Sequence, residues 1–394
     1  MEPADVPLRI LAIVNLPWDS RLGAARVWME LAEEWTRAGH VVEKFCLTDA
    51  FPTPTSSSVR STFQTALFPY RAAAYVRKNA ARFDVIDCLI GTLPFRKRSL
   101  GFRGLFVARS VGLHRLYKEF LQQARTRWPE RPRGRFSGRI FHRALERHFW
   151  KHAEASLQVC DLLNLPNEDE RGALGRDRSL RALAIVEPYG LSDRFREAFA
   201  DAAAPAAERL RRQKICFIGM WSLRKGSRDW PQIMESIWRR HPGAEFVFLG
   251  TMFGEAVVRA ELGFDDSKRI TCLPKYDAAD LPALLTDVAV ALFPSYIEGF
   301  GLAVLEQLAA GLPTVAYDVP GPRQILASQR EVLLTPAGNP AAMAARASEI
   351  LALPLRQYEE LSAACNGIAR HYRWCEIAAA TVRQYRAAME SLGQ

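Results

Sequence analysis

Residues 293–325 read F-P-S-Y-I-E-G-F-G-L-A-V-L-E-Q-L-A-A-G-L-P-T-V-A-Y-D-V-P-G-P-R-Q-I. An apolar run ends at Pro294 and a loop follows. Apolar residues then recur at helical spacing from Leu302, until Gly311 and Pro313 stop that helix before a second apolar run. Strand, loop, helix and strand form the repeating unit of a parallel α/β sheet. Gly299 and Gly301 stand at the helix start, so a ligand can approach backbone N–H groups that have no intrahelical acceptor. Phe300, Gly301 and Leu302 carry those groups, and such a terminus suits an anionic or hydroxyl-rich ligand. Glu298 stands at the mouth and Glu306 one to two turns down the helix. Both carboxylates can accept hydrogen bonds from sugar or ribose hydroxyls. The alternative reading makes Glu298 a helix cap and Glu306 a surface residue.

Working outward, the same alternation covers the chain. Apolar runs at 214–218, 245–249, 269–273, 288–293, 314–317 and 331–334 read as strands, with helices at 230–238, 281–285, 302–310 and 341–353 between them. A loop at 219–226 follows the first of these strands. Toward the N-terminus, strands are expected at 9–15, 41–47, 85–90, 105–109, 156–160 and 182–187. A helix is expected at 27–38, with a loop holding Gly23 and Ala24 before it. Residues 53–61 are rich in Pro, Ser and Thr and read as a loop. The Ala-rich stretch 198–207 reads as a linker. The pattern gives an α/β protein of two parallel-sheet domains, 1–197 and 208–370, followed by a helical tail over 371–394. Ligands of such sheets bind beyond the carboxyl ends of the strands, and pockets favour domain boundaries, so a cleft between the domains is the expected site.

The 394 residues are 49% hydrophobic and 24% charged, with a net charge of +10. That balance excludes a disordered chain. No stretch approaches the roughly 18 uncharged apolar residues of a spanning helix. The first apolar run contains Arg9 and follows Glu2 and Asp5, which is not the pattern of a secretory signal. The expected location is therefore cytoplasmic. Seven cysteines, an odd number with no C-x-x-C spacing, read as small apolar residues in a reducing compartment; Cys46, Cys88, Cys216 and Cys272 fall inside strand runs.

The charge is concentrated. Residues 94–152 hold sixteen Lys and Arg against Glu119, Glu130 and Glu146, more surplus charge than the whole chain carries. Trp128, Phe136, Phe141, Phe149 and Trp150 are interleaved. Three readings stand: a solvated basic helix face, a surface docking on anionic lipid, and a nucleic-acid site. The third lacks any accompanying recognition motif.

Glu298-x7-Glu306 within E-G-F-G-L-A-V-L-E, with A-A-G-L-P-T-V-A and G-P-R-Q-I-L behind it, closely resembles the retaining nucleotide-sugar glycosyltransferases of family 4. Their fold is GT-B, two Rossmann-like domains facing across a cleft. The likeness extends to Gly219 through Lys225-Gly226 as a diphosphate loop and to Pro188-Tyr189-Gly190-Leu191 before the linker. The tail from Tyr372 to Met389 resembles the closing helix that crosses back to the first domain. Leu22-Gly23-Ala24-Ala25-Arg26 resembles the glycine loop after the first strand.

The resemblance implies a sugar transfer from a nucleoside diphosphate sugar to an acceptor hydroxyl, in assembly of cell-surface polysaccharide, lipopolysaccharide or glycolipid. It implies Lys225 on the donor diphosphate, Glu298 and the N–H groups of Phe300, Gly301 and Leu302 on the sugar, and Glu306 on the ribose. Gly23 and Ala24 would approach the phosphates, Gly219 would open the diphosphate loop, and Tyr276 would lie near the base. No metal or cofactor is implied, and Asp265-Asp266 reads as a solvated turn. The basic segment would meet a glycan or lipid-linked acceptor or the inner face of a membrane.

Two positions depart from the family pattern. Met220 stands where an Arg usually accompanies the Lys, with Arg224 as a substitute cation. Val111 stands in the place of a His, and His114 either replaces it or merely begins a helix. Those departures also suit a catalytically silent GT-B binding partner. A nicotinamide oxidoreductase is excluded, because the first loop offers only Gly23 and no G-x-G-x-x-G.

Overall fold

The structure, a computed structural model, describes residues 6–393 apart from 54, 56, 130–135, 176, 178 and 265–267. Of residues 58 and 136–144 it describes the backbone only. Backbone contacts divide the chain into two units. One comprises the residues up to Pro188 together with Trp374 onward, and the other is Tyr189–Arg373.

The first unit is built on six parallel strands: β1 (Arg9–Val14), β2 (Val41–Cys46), β3 (Val85–Leu89), β4 (Leu105–Arg109), β5 (Leu162–Leu165) and β6 (Leu183–Val186). Their order is β2-β1-β3-β4-β5-β6. Central strands of a parallel sheet are covered on both faces, so β4 is apolar nearly throughout and buried at every residue. One face packs Leu11, Phe45 and Ile86 against Phe68, Ala72 and Val76 of the helix Ser58–Asn79. Elsewhere Ala108, Leu113, Leu157 and Leu163 form a second cluster.

The helix Gly23–Arg37 buries Val27, Trp28, Leu31 and Trp35, one stripe at helical spacing. The closing helix Trp374–Ser391 packs on it, and Trp35 Nε1 donates to the Ala378 carbonyl at 3.2 Å. Beneath this contact Arg109 donates to Asp87 at 2.8 Å and to the Tyr385 hydroxyl at 2.9 Å. Tyr385 also bonds Asp87, and all three side chains are fully buried.

The second unit has six parallel strands of its own: β7 (Lys214–Ile218), β8 (Glu245–Leu249), β9 (Ile270–Leu273), β10 (Val288–Phe293), β11 (Thr314–Tyr317) and β12 (Leu334–Thr335). The order is β12-β11-β10-β7-β8-β9. The order turns outward between β10 and β7, and the loops after both strands leave at the carboxyl edge, the place where such sheets bind ligands.

Several expectations are corrected. Of residues 156–160, read as a strand, the first four close the helix Phe136–Val159, and the strand is Leu162–Leu165. A four- or five-residue apolar run does not distinguish a strand from one face of a buried helix. The stretch 198–207 is not an open linker. It ends the helix Asp193–Ala202 and begins the helix Ala206–Arg212, because alanine favours helix and only residues around Pro205 interrupt it. Of 331–334 only Leu334 is strand, and Arg330–Leu333 is helical. The Pro/Ser/Thr loop ends sooner than expected, since Ser57 caps the helix Ser58–Asn79 by accepting from the Arg60 N–H. The expected loop around Gly23 is the first turn of the helix Gly23–Arg37.

All seven cysteines are free thiols, and Cys46, Cys88, Cys216 and Cys272 are buried on strands. Asp265 and Asp266 lie outside the described residues, as do Arg131, Arg133 and Arg135 of the basic segment. Among the described residues no helix is long and apolar enough to cross a membrane.

Candidate functional site

The carboxyl edge of the second sheet gathers the residues that the sequence singles out there. After β7 the chain passes Gly219 and turns through a short 3-10 helix, Leu223–Lys225, ending at Gly226. After β10 it runs through Pro294 and Glu298 into the helix Leu302–Ala309, for which Gly301 is the N-cap. The Tyr296 N–H donates to the Arg224 carbonyl at 2.8 Å and ties the two loops together. Gly226 is required at this junction. Its φ is +78°, and a Cβ there would stand 2.3 Å from the Pro294 carbonyl oxygen.

This closure brings two cations onto one carboxylate oxygen. Lys225 Nζ donates to Glu298 Oε2 at 2.5 Å, and Arg224 Nη1 lies 3.5 Å from the same atom. The Lys225 ammonium also sits 4.5 Å above the Phe293 ring. Burial lowers the Lys225 pKa first of all, and Arg224 opposes its charge while Glu298 supports it. Burial pushes the Glu298 carboxyl up, but Lys225 and Arg224 outweigh it and hold the carboxyl below its ordinary range. The cluster keeps one surplus positive charge, mostly out of water, where it attracts an anion strongly.

The helix supplies the rest. Glu306 is buried, at 5% exposure, which removes the reading of it as a surface residue. The Phe300 ring is turned into the core, edge-on to Tyr189 at 5.4 Å and Tyr372 at 5.7 Å. Only its backbone is left to face a ligand. Gly321, with φ +87°, lets the following segment pass so close that a Cβ would lie 2.2 Å from the Phe300 carbonyl. Tyr276 follows β9, and its ring rests against Gly250 at the end of β8. Tyr276 thus shares the carboxyl edge with Lys225 and Glu298 but stands toward the other end of it.

Sequence reading missed Asp229. It is buried and accepts from the Tyr296 and Tyr317 hydroxyls, each at 2.6 Å, fixing the loop that carries Glu298. An aspartate before a helix with proline at its second position signals an N-terminus, not a clamp for two tyrosines.

A sequence profile described as "Glycosyl transferases group 1" matches residues 212–352. Glycogen synthase of Mycobacterium tuberculosis is 26% identical over 181 residues, 44% of this chain and 42% of that protein. The chain thus aligns with less than half the length of that curated relative. Sucrose-phosphate synthase from Thermosynechococcus elongatus superposes with a TM-score of 0.74 at 18% identity, covering 98% of this chain and 100% of that one. Anabaena HepE, solved in complex with UDP and glucose, gives 0.64 at 14% identity, covering 96% and 99%.

Residues 212–352 match the group 1 glycosyltransferases, and the chain as a whole has the GT-B fold of these solved structures.

Two departures from the family pattern acquire a structure. Met220, which stands where the family pattern has an Arg, is 44% exposed in the loop after β7. Arg224 does converge on Glu298 with its neighbour Lys225, because the 3-10 turn brings the adjacent side chains to the same side.

The remaining residues expected at the family's site lie in the first unit. Gly23 and Ala24 open the helix Gly23–Arg37, and nothing lies within 4 Å of the place a Cβ would take on Gly23. His114 is the first residue of the helix His114–Arg127. Its Nε2 pairs with Glu154 Oε1 at 2.8 Å, its ring lies 5.7 Å from Trp150, and its buried Nδ1 has no partner. Burial lowers its pKa, against the pull of Glu154. A residue absent from the sequence reading holds the approach to it. Glu170 accepts from Ser110 Oγ at 2.6 Å and from the Leu113 N–H at 2.9 Å, fixing the loop that contains Val111.

Proposed function

We propose that this protein transfers a sugar, with retention of configuration, from a nucleoside diphosphate sugar to an acceptor hydroxyl. The observation that carries the reading is the Arg224–Lys225–Glu298 cluster at the mouth of the helix Leu302–Ala309, with one positive charge in surplus. A departing diphosphate gains negative charge in the transition state, so a fixed buried cation stabilises it more than the intact donor. Lys225 and Arg224 supply that cation. Glu298 positions Lys225 and faces the sugar, assisted by the N–H groups of Phe300, Gly301 and Leu302, while Glu306 takes the ribose hydroxyls. His114, Gly23 and Ala24 contribute from the first unit, and Tyr276 from the base side. No side chain is assigned as a nucleophile: the acceptor hydroxyl gives its proton to the leaving phosphate on the face it attacks. The reaction as proposed needs no metal.

The test is thermal stabilisation by nucleoside diphosphates and their sugars, with and without Mg²⁺, beginning with uridine diphosphate because HepE was solved with UDP. A ligand at a hundred times its dissociation constant adds about 2.7 kcal/mol. A shift with one nucleotide sugar names the donor. A folded sample that responds to none favours the silent binding partner, which the exposed Met220 in place of a cation supports.

The acceptor belongs, in this reading, to glycan or glycolipid assembly at the cytoplasmic face of a membrane. The helix Ser58–Asn79 contains Arg60, Arg71, Arg77 and Lys78 and no acidic residue. It exposes Val59, Phe63, Leu67 and Tyr70, at spacings of four, four and three residues. Apolar side chains on one face beside cations suit an anionic interface. Binding to vesicles of anionic but not zwitterionic lipid, lost in high salt, is the expected result. Equal binding to both kinds would remove the dependence on anionic lipid, and no binding to either would remove the membrane reading.

A further inference from the structure

Arg209 is buried at 3% exposure in the second unit, yet no acidic residue among those described pairs with it. Its Nε donates to the Thr286 carbonyl at 3.2 Å and its Nη1 to the Ala310 carbonyl at 2.9 Å. Its Nη2 is buried and makes no hydrogen bond, although the Tyr358 hydroxyl stands near the guanidinium. A guanidinium cannot shed its proton to escape burial. A buried cation without a counter-ion is costly.

The Ala310 carbonyl lies just past the helix Leu302–Ala309, so the negative end of that helix offsets part of the charge. That end carries about half an elementary charge, and the guanidinium carries a whole one. The offset is therefore partial.

Arg209 also lines a cavity of about 410 Å³, wholly within the second unit. Space is left because the walls are small residues, among them Ala203, Ala310 and Ala363. Polar side chains stand around it. Ser362 donates to the Gly311 carbonyl at 2.6 Å, and Asn366 donates to the Ala309 carbonyl at 2.8 Å. Arg370, exposed at the edge, donates to Asn366 Oδ1 at 3.0 Å and adds a second cation. The one carboxylate on the lining, Glu359, is exposed. The cavity is separate from the Lys225–Glu298 cluster, which stands at the other end of the helix Leu302–Ala309.

We infer that this cavity is a binding site for a small phosphate monoester, whose phosphate neutralises Arg209 and Arg370 while its organic part fills the space between the alanines. A dianion matches two guanidinium groups, and phosphate accepts from arginine in bidentate geometry. A cavity of this size holds more than a bare ion.

The test uses the full chain carrying Lys225→Ala, which leaves Arg224 and Glu298 with no surplus charge and so weakens phosphate binding at the loop after β7. Inorganic phosphate and ribose 5-phosphate are titrated separately against chloride at matched ionic strength, with melting temperature as the readout. Two further variants are made in that background: Arg209→Met, which removes the charge, and Ala363→Leu, which fills the cavity at an exposed position and keeps Arg209. The expected result is a saturable rise in melting temperature, larger for ribose 5-phosphate than for phosphate at equal concentration. The rise should disappear in Ala363→Leu, and in Arg209→Met if that variant folds. No rise in the Lys225→Ala chain, or a rise that survives in Ala363→Leu, overturns the site. Equal rises with the two ligands overturn the monoester assignment.

Discussion

Lys225 Nζ meets Glu298 Oε2 at 2.5 Å across 73 residues of sequence, linking the loop after β7 to the loop after β10. The pair does two things. It anchors the mouth of the helix Leu302–Ala309, and in the proposed reaction it holds a cation where a diphosphate would leave. Lys225→Ala separates them. Arg224 still faces Glu298, so the carboxylate keeps a partner and the chain should fold. Turnover should fall roughly 10²–10³-fold, the usual loss when one preorganised charge-stabilising group is removed. Sugar transfer and a thermal melt on the same sample check this. Full turnover in the variant would sink the role given to Lys225.

Gly226→Ala should be among the most damaging single-methyl changes in the second unit. The new Cβ would press on the Pro294 carbonyl from a left-handed backbone, so two strains add. A non-glycine residue held in that region costs on the order of 1 kcal/mol or more, and the clash adds to it. Chemical denaturation should show a loss of roughly 2–4 kcal/mol. Nucleotide binding should weaken as well, because the same loop places Lys225. A loss below about 0.5 kcal/mol, within the range of ordinary surface changes, would mean that the two loops are not fixed as described.

Glu170 makes stability depend on pH in the opposite sense to most carboxylates. Burial raises its pKa from the ordinary 4.5 to about 7, against the hydrogen bonds from Ser110 and Leu113. The folded chain therefore binds more protons than the unfolded chain between those values. Its stabilising contribution is full below about 4.5 and is lost as pH rises through about 7. The amplitude is on the order of 3 kcal/mol. Glu170→Gln can accept from the Leu113 N–H and donate to Ser110 at every pH, so melting temperatures of the variant should vary less across this window. Parallel curves for the two proteins would show that Glu170 does not titrate there.

The fold was most legible in the inner strands of each sheet. The bounds of β4, β7, β8, β10 and β11 coincide with apolar runs in the sequence, because a central parallel strand has no polar face to blur its ends. The helix Ser58–Asn79 was not legible. Its start is disguised by the Pro/Ser/Thr stretch before it, Pro69 lies inside it, and its apolar residues lie on two faces, one buried and one exposed. At the candidate site, the glycines around the helix start marked Glu298 and Glu306, and the family resemblance marked Lys225. Neither signal marked Asp229 or Glu170, since each acts by accepting hydrogen bonds from residues distant in sequence and no local pattern marks that. The convergence of Arg224 and Lys225 was equally hidden, because it depends on a single 3-10 turn.

The closing helix depends on one buried cluster of charge. Tyr385 contacts both Arg109 and Asp87 from that helix, and Trp28 Nε1 donates to Asp87 Oδ1 at 3.1 Å from the helix Gly23–Arg37. Asp87 and Arg109 stand on β3 and β4, so the network joins two strands to two helices. Removing one partner of such a pair costs more than the pair contributes, because the other charge stays buried alone. Arg109→Met should therefore lose about 3–5 kcal/mol, leaving Asp87 with only the Trp28 and Tyr385 donors. Tyr385→Phe takes away a hydroxyl and no charge, and should lose about 1–3 kcal/mol. The order matters more than either value. Denaturation midpoints of the two variants, with Arg109→Met the lower, would show the ion pair as the centre of the network. The reverse order would make the tyrosine the anchor and reduce the ion pair to a neutral replacement for apolar packing.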